Sequence, residues 1–225
     1  MHANSRSVVS TQSDIHEQLA STLARHLASP FRKPVMAYNR SAFEHSIAAW
    51  QASGKAHLII DAGCGVGRSS MHLAQQFPDH FVIGIDQSAD RIGRLTAWPG
   101  EAPTNQLRVR ADLIDYWRLL LEAGIRPARH YVLYPNPWPK KAQLGRRWHG
   151  HAVFPALVAL GGYFECRSNW QIYIAECAAA LTQISGIEVA CEAYDPDPTP
   201  ITPFEQKYLA SGHALWRCRV QLATA

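Results

Sequence analysis

The run Leu58-Ile59-Ile60, followed by Asp61-Ala62-Gly63-Cys64-Gly65-Val66-Gly67 and a helix-forming stretch over residues 68–74, constrains this chain more than any other feature. A short apolar run bounded by turn residues reads as a buried strand, and three glycines at alternate positions read as a tight turn into a helix. Glycine backbone can lie directly against a ligand, and the unpaired N–H groups that open a helix attract a ligand's polar atoms. Such a turn belongs at the carboxyl end of a parallel strand, so it predicts an open α/β sheet with a ligand crevice along that edge.

The rest of the chain repeats this alternation. Phe81-Val82-Ile83-Gly84-Ile85, Leu107-Arg108-Val109, Tyr131-Val132-Leu133-Tyr134 and Tyr163-Phe164-Glu165-Cys166 read as four further strands, separated by helical segments. Strands alternating with helices give a Rossmann-like, doubly wound, mostly parallel sheet. Residues 172–181 read as a helix, 187–191 as a strand, 195–203 as a proline-broken loop, and 214–222 as an antiparallel C-terminal edge strand. Upstream, Ile15, Leu19, Leu23 and Leu27 recur every fourth residue as in an amphipathic helix, which Pro30 and Pro34 should end, and residues 42–51 form a second helix. The expected organisation is a partly flexible tail and helix over residues 1–30, then one domain over 31–225.

Composition narrows the class. A chain of 225 residues with 47% hydrophobic and 18% charged residues can bury a full core, which excludes disorder as the dominant state. The excess of 22 Lys and Arg over 18 Asp and Glu allows a polyanionic partner without requiring one. Five scattered cysteines without a CxxC pair, and eleven histidines without an HExxH pattern, support neither a disulfide framework nor a metal site. No window approaches the roughly 20 apolar residues of a membrane helix, and no apolar leader follows the N-terminus, so a cytoplasmic protein is expected.

Three acids define the crevice. Asp86 stands nineteen residues after Gly67 at the tip of the second strand, where a carboxylate accepts hydrogen bonds from ribose hydroxyls. Asp61 closes the first strand; there it would repel a pyrophosphate but attract a sulfonium, which favours S-adenosyl-L-methionine over a dinucleotide. Asp112 follows the third strand and can accept from an adenine amino group, or alternatively cap a helix. Gly63, Gly65 and Gly67 would support the cofactor's backbone-facing side.

The fourth strand ends in Tyr134-Pro135-Asn136-Pro137-Trp138-Pro139-Lys140-Lys141. Three prolines around one asparagine make a rigid loop at the carboxyl edge, holding an amide and an indole where a planar, hydrogen-bonding base would sit. Lys140, Lys141, Arg146 and Arg147, with His149 and His151 beyond, form a cationic stretch suited to RNA phosphates, and Arg32, Lys33, Arg40 and Arg68 are candidates for the same rim.

These motifs, in this order, resemble the bacterial tRNA (guanine-N7-)-methyltransferases, a branch of the class I S-adenosyl-L-methionine methyltransferases. The glycine turn, Asp86, Asp112, the proline-tryptophan loop with its basic residues, Ser168-Asn169-Trp170, and Thr202-Pro203-Phe204-Glu205 with Lys207 and Gly212-His213 carry the likeness, over about residues 35–222. The resemblance implies a class I methyltransferase fold and methyl transfer to N7 of guanine in the variable loop of tRNA. It implies that Asp61, Gly63, Gly65, Gly67, Asp86, Asp112 and Asn136 hold the cofactor, with Asn136 in the catalytic position. Lys140, Asn169, Thr202 and Glu205 would meet the substrate, and Lys141, Arg146 and Arg147 the RNA backbone, with no metal.

The family has aspartate where this chain has Asn136 and Asn169, and a longer helix than residues 154–161 allow. Asparagine accepts more weakly and also donates. Two alternatives therefore stand beside guanine N7: an exocyclic amine or small-molecule acceptor, as Asn-Pro-x-Trp suggests, or an RNA-binding homologue with impaired catalysis. Monomer and homodimer remain open.

Overall fold

Neighbouring residues along each strand pack against opposite layers of helix, and that alternation builds the molecule. In β1 (His57–Ala62), Leu58, Ile60 and Ala62 face one core while Ile59 faces the other; in β2 (His80–Asp86), Phe81, Ile83 and Ile85 part from Val82 in the same way. Strands buried on both faces need helices on both, as the near-continuous apolar runs predicted.

The computed structural model describes residues 5–29, 31–94, 97–196 and 199–223. The expectations placed on residues 1–4, Pro30 and Pro198 lie outside the described residues.

β3 (Gln106–Arg110), β4 (Arg129–Leu133) and β5 (Gly162–Ser168) complete the parallel part of a seven-stranded sheet of order β3-β2-β1-β4-β5-β7-β6. The order reverses between β1 and β4, and in open α/β sheets that switch point is where a crevice opens. α1 (Leu19–Ala28), α2 (Ala37–Ala52), α5 (Leu113–Glu122), α6 (Phe154–Ala159) and α7 (Gln171–Ser185) contribute to the larger core. α3 (Arg68–Gln76) and α8 (Pro203–Ala210) contribute to the smaller one, and the short α4 (Ala89–Gly93) follows β2. Inside the larger core Trp117 donates to His130 Nε2 at 3.0 Å, and burial pushes the pKa of His130 down to about 3, so the imidazole is a neutral acceptor.

Four expectations are corrected. β7 (Leu215–Leu222) is antiparallel but not the edge: it lies between β5 and β6 (Glu192–Tyr194), which is outermost. The stretch 187–191 is irregular, because Gly186 in the left-handed region ends α7 and Val189 N donates to Thr182 Oγ1, so pairing starts only at Glu192 opposite Arg217. The proline-rich loop stops at Thr202, since Pro203 occupies the first turn of α8, where its missing N–H costs nothing. α1 begins at Leu19, which leaves Ile15 before the helix and exposed; Leu27 is exposed too, and only Leu19 and Leu23 are buried.

Candidate functional site

The glycine turn after β1 is held from beneath. Gly63 and Cys64 both donate to Ile85 O, at 2.8 and 3.0 Å, and Gly65 donates to Asp86 Oδ2 at 3.0 Å. Gly63 and Gly65 adopt φ of +78° and +59°, and a Cβ on either would meet no atom within 4 Å, so both present bare backbone to open space. Gly67 differs. It caps α3 in the left-handed region, and the Arg108 side chain covers it, so it packs rather than lines the crevice.

Asp61 lies under this turn, almost fully buried. Its Oδ2 accepts from Ser69 and Ser70 hydroxyls at 2.6 and 2.7 Å, while Oδ1 is buried with no partner. Burial raises its pKa to about 6, against the lowering by the two hydroxyls and with a further rise from the Asp86 charge. Gly84, opposite Asp61 in the β1–β2 register, makes this arrangement possible, because a Cβ there would collide with Ser70 Oγ.

At the switch point a cavity of about 750 Å³ opens between the two loops. Gly63, Gly65, Asp86 and Asp112 contribute one side; residues 133–138, Arg146, Trp148 and His151 contribute the other. Asp86 Oδ1 accepts from Ser88 N at 2.8 Å, and Arg91 sits 3.6 Å from Oδ2, leaving acceptor capacity on the carboxylate. Asp112 caps α5 through Ile114 N and is itself held by Asn39 Oδ1, at 2.9 Å each, so the capping alternative and a place in the crevice are both realised.

The proline-tryptophan loop starts from a strained backbone: Tyr134 and Trp138 have φ of +54° and +46°. Trp138 N donates to Asn136 Oδ1 at 3.4 Å, and the Arg146 guanidinium lies 4.7 Å above the Trp138 ring. Asn136, Trp138 and Arg146 therefore converge on the crevice, opposite the acids.

Other predicted residues lie elsewhere. Arg147 is fully buried, donating to Glu176, to Gln12 and to the Trp138 carbonyl, so it cannot meet a phosphate. Glu205 is fully buried too, accepting from Tyr134 Oη at 2.7 Å, Arg167 at 3.0 Å and Ile201 N at 2.7 Å; the Tyr134 hydroxyl is pushed well above its usual pKa by burial and by Glu205. Thr202 caps α8 by accepting from Glu205 N at 2.9 Å. Asn169 Nδ2 donates to His213 Nδ1 at 3.0 Å, beside the crevice rather than in it. Lys140 is exposed outside the cavity, and Lys141 pairs with Glu17 at 3.5 Å. Of the other candidate rim cations, Arg40 pairs with Glu122 and Arg68 with Gln206; neither they nor Arg32 and Lys33 line the crevice. Arg91 and Trp148 in the crevice wall, and Gln12 against Arg147, carry no local motif that marks them in the sequence.

Among the described residues no group of three or more His, Cys, Asp or Glu is placed to hold a metal, and no helix is long and apolar enough to cross a membrane.

A doubly wound sheet with an antiparallel end, a glycine turn after β1 and acids closing β1, β2 and β3 defines the class I methyltransferase fold. Solved structures share it: an antibiotic-related methyltransferase aligns with a TM-score of 0.56 at 15% identity, over 85% of this chain and 97% of its own. A 16S rRNA (adenine(1408)-N(1))-methyltransferase from Catenulisporales acidiphilia, solved with cosubstrate SAM, aligns at 0.51 and 19%, over 79% and 90%. The family described as a putative methyltransferase matches residues 55–218, and the chain belongs to it. Similar relatives include the tRNA (guanine-N(7)-)-methyltransferase of Ralstonia pickettii strain 12J, 29% identical over 70% of this chain, of whose length the chain spans 63%. That of Aromatoleum aromaticum is 27% identical over 85% of this chain and 75% of its own length.

Proposed function

We propose that this chain is a cytoplasmic S-adenosyl-L-methionine-dependent methyltransferase acting on a nucleobase, and that the acceptor is N7 of guanine in the variable loop of tRNA. The observation that carries the reading is a single cavity of about 750 Å³ that holds Asp86 and Asp112 opposite Asn136, Pro137 and Trp138. The names of the relatives support the acceptor. Residues 31–225 act as one catalytic domain, with residues 1–30 as an extension.

The residues fit the cofactor. Gly63 and Gly65 leave bare backbone for a flat nucleoside, Asp86 keeps acceptor capacity, and Asp61 holds an unpartnered carboxylate oxygen beneath the turn. When bound, S-adenosyl-L-methionine supplies an electrophilic methyl group on a sulfonium centre. Asp86 would accept from the ribose hydroxyls, Asp112 from the adenine amino group, and the Asp61 carboxylate would favour the positive sulfur through its field.

On the acceptor side, guanine N7 carries a lone pair and no proton, so attack needs no general base. Positioning in line with methyl and sulfur is the chain's main contribution. Asn136, fixed by its contact with Trp138 N, would orient the base edge, and the Trp138 face would stack on it. Orientation of this kind does not require a carboxylate.

The test is mass spectrometry of nucleosides from unmodified tRNA incubated with the protein and labelled cofactor, with borohydride and aniline cleavage to locate the product. Cleavage at the variable-loop guanosine supports the reading. A methylated exocyclic amine would move it to the amine acceptor that Asn136 beside Pro137 suggests, and RNA binding without product would leave only a binding role.

A further inference from the structure

Beside the crevice lies a second cavity of about 560 Å³, between α1 and the segment over residues 141–152. Arg25 and His26 reach it from the last turn of α1, His16 from the segment before that helix, and Lys141 and His151 from the far wall. One acid joins them, Glu17, and it is paired with Lys141 at 3.5 Å. Gly145 and His151 line both cavities, so the two adjoin across these residues. No sequence motif marks the α1 side of the second cavity.

The chemistry of this wall suits a polyanion better than an apolar or a cationic partner. A guanidinium and an ammonium line it, beside three imidazoles already engaged within the chain: His26 donates to Gly150 O, and His16 and His151 accept from Gln18 N and Val153 N. The single carboxylate is in an exposed ion pair that is worth at most about 1 kcal/mol, so a phosphate can replace it. A nucleobase seated against Asn136 must first leave its stack, and the phosphates flanking it then follow the protein surface away from the crevice. The cleft that adjoins the crevice at His151 would lie on such an exit.

We propose that the cleft between α1 and residues 141–152 takes the phosphodiester backbone of the RNA strand on one side of the methylated nucleotide, with Arg25 and Lys141 as its contacts. The inference rests on the nucleobase reading above, and it extends the RNA-binding surface to a helix outside the matched family region.

The test is fluorescence anisotropy of labelled, unmodified tRNA with the full-length protein across a salt series, beside calorimetry of S-adenosyl-L-methionine binding. Arg25→Gln combined with Lys141→Gln is expected to weaken tRNA binding about three- to tenfold and to make the log–log salt slope shallower by about one for each phosphate-binding cation removed. Glu17→Gln, which frees Lys141, is expected to tighten binding, a gain that misfolding cannot produce. Cofactor affinity should be unchanged in all variants. If both variants bind tRNA as the natural protein does, the groove proposal is overturned, while methylation of tRNA would keep the proposed function. If the variants behave as expected but no tRNA base is methylated, the groove stands and the methyl-transfer reading falls. If the natural protein does not bind tRNA, both fall.

Discussion

Arg147 Nη1 donates to Glu176 Oε2 at 2.6 Å, and neither side chain has any exposed surface. The pair joins three parts of the molecule that sequence keeps apart. Arg147 also donates through Nε to Trp138 O at 3.2 Å and through Nη2 to Gln12 Oε1 at 3.1 Å, while Gln12 Nε2 and His16 N donate to Glu176 Oε1. Ser10 Oγ adds a bond to Pro139 O at 2.6 Å. The proline-tryptophan loop is thus fixed by an ion pair beneath it and an N-terminal segment across it, as well as by its own prolines. Burial pushes Glu176 upward, but the His149 hydrogen bond and the Arg147 guanidinium outweigh it and hold the pKa at about 2.

Breaking this pair from one side leaves a buried charge without its partner. Arg147→Met is expected to cost about 3–5 kcal/mol in urea unfolding, and Arg147→Lys to remain costly because an ammonium cannot reproduce the guanidinium fork. Adding Glu176→Leu to Arg147→Met should recover part of the loss, since the orphaned carboxylate goes with it. A midpoint for Arg147→Met matching the natural protein would show that the loop does not depend on this link.

Asp61 predicts a pH signature in cofactor binding. Its folded pKa of about 6 lies above the ordinary 3.8, so the folded chain holds a proton in that window that the unfolded chain has lost. Its contribution to stability is therefore fully present below 3.8 and is lost as pH rises through about 6. A sulfonium nearby favours the ionised carboxylate. S-adenosyl-L-methionine should accordingly bind more weakly as pH falls below about 6, with proton release on binding, whereas the demethylated product, lacking the positive sulfur, should show a flatter profile. Calorimetry between pH 5 and 8 in buffers of different ionisation enthalpy measures this, and Asp61→Asn should abolish the difference between the two ligands. Equal pH slopes for both in the natural protein would remove Asp61 from the sulfonium's surroundings.

What could be read in advance was what depends on neighbouring residues. Asp86 follows a strand whose apolar run ends beside a glycine turn, and both marks are local, so strand, crevice and carboxylate could be placed together. Arg147 carries no such mark. Next to Arg146 it reads as half of a solvated pair, yet Arg146 lies exposed above Trp138 while Arg147 points to Glu176 and to Gln12, 29 and 135 positions away. Glu205 was hidden in the same way, because Tyr134 and Arg167 reach it across 71 and 38 positions. A motif shows that a charged residue matters locally. Only tertiary packing decides whether it meets a ligand or another part of the chain.

Glu205 separates these two possibilities experimentally. With Tyr134 Oη, Arg167 and Ile201 N all donating to it, Glu205→Gln should lower stability by about 2–4 kcal/mol, because a buried guanidinium loses a charged acceptor. Cofactor affinity and the KM for tRNA should change little at temperatures where the variant stays folded. A normal unfolding midpoint with a large rise in KM would instead return Glu205 to the substrate.

The last prediction concerns Asn136. Its side-chain oxygen accepts from Trp138 N, a bond that a carboxylate makes at least as well, so Asn136→Asp should leave the loop folded and cofactor affinity within about twofold. The effect should fall on the acceptor. Guanine presents N1–H and N2–H as donors, and two carboxylate oxygens accept both more strongly than one amide oxygen accepts one; the KM for tRNA should fall by about tenfold, equivalent to about 1.4 kcal/mol. Asn136→Ala should lower kcat/KM by about ten- to a hundredfold, because orientation is lost while the lone pair on N7 still needs no base. For an exocyclic amine the direction differs: an amide oxygen accepts from the amine without closing the carboxylate's pattern, so Asn136→Asp would bring no selective gain on guanine-containing tRNA. Steady-state kinetics of the three proteins on one tRNA, with the product base identified, therefore reads the acceptor from the sign of the Asn136→Asp effect.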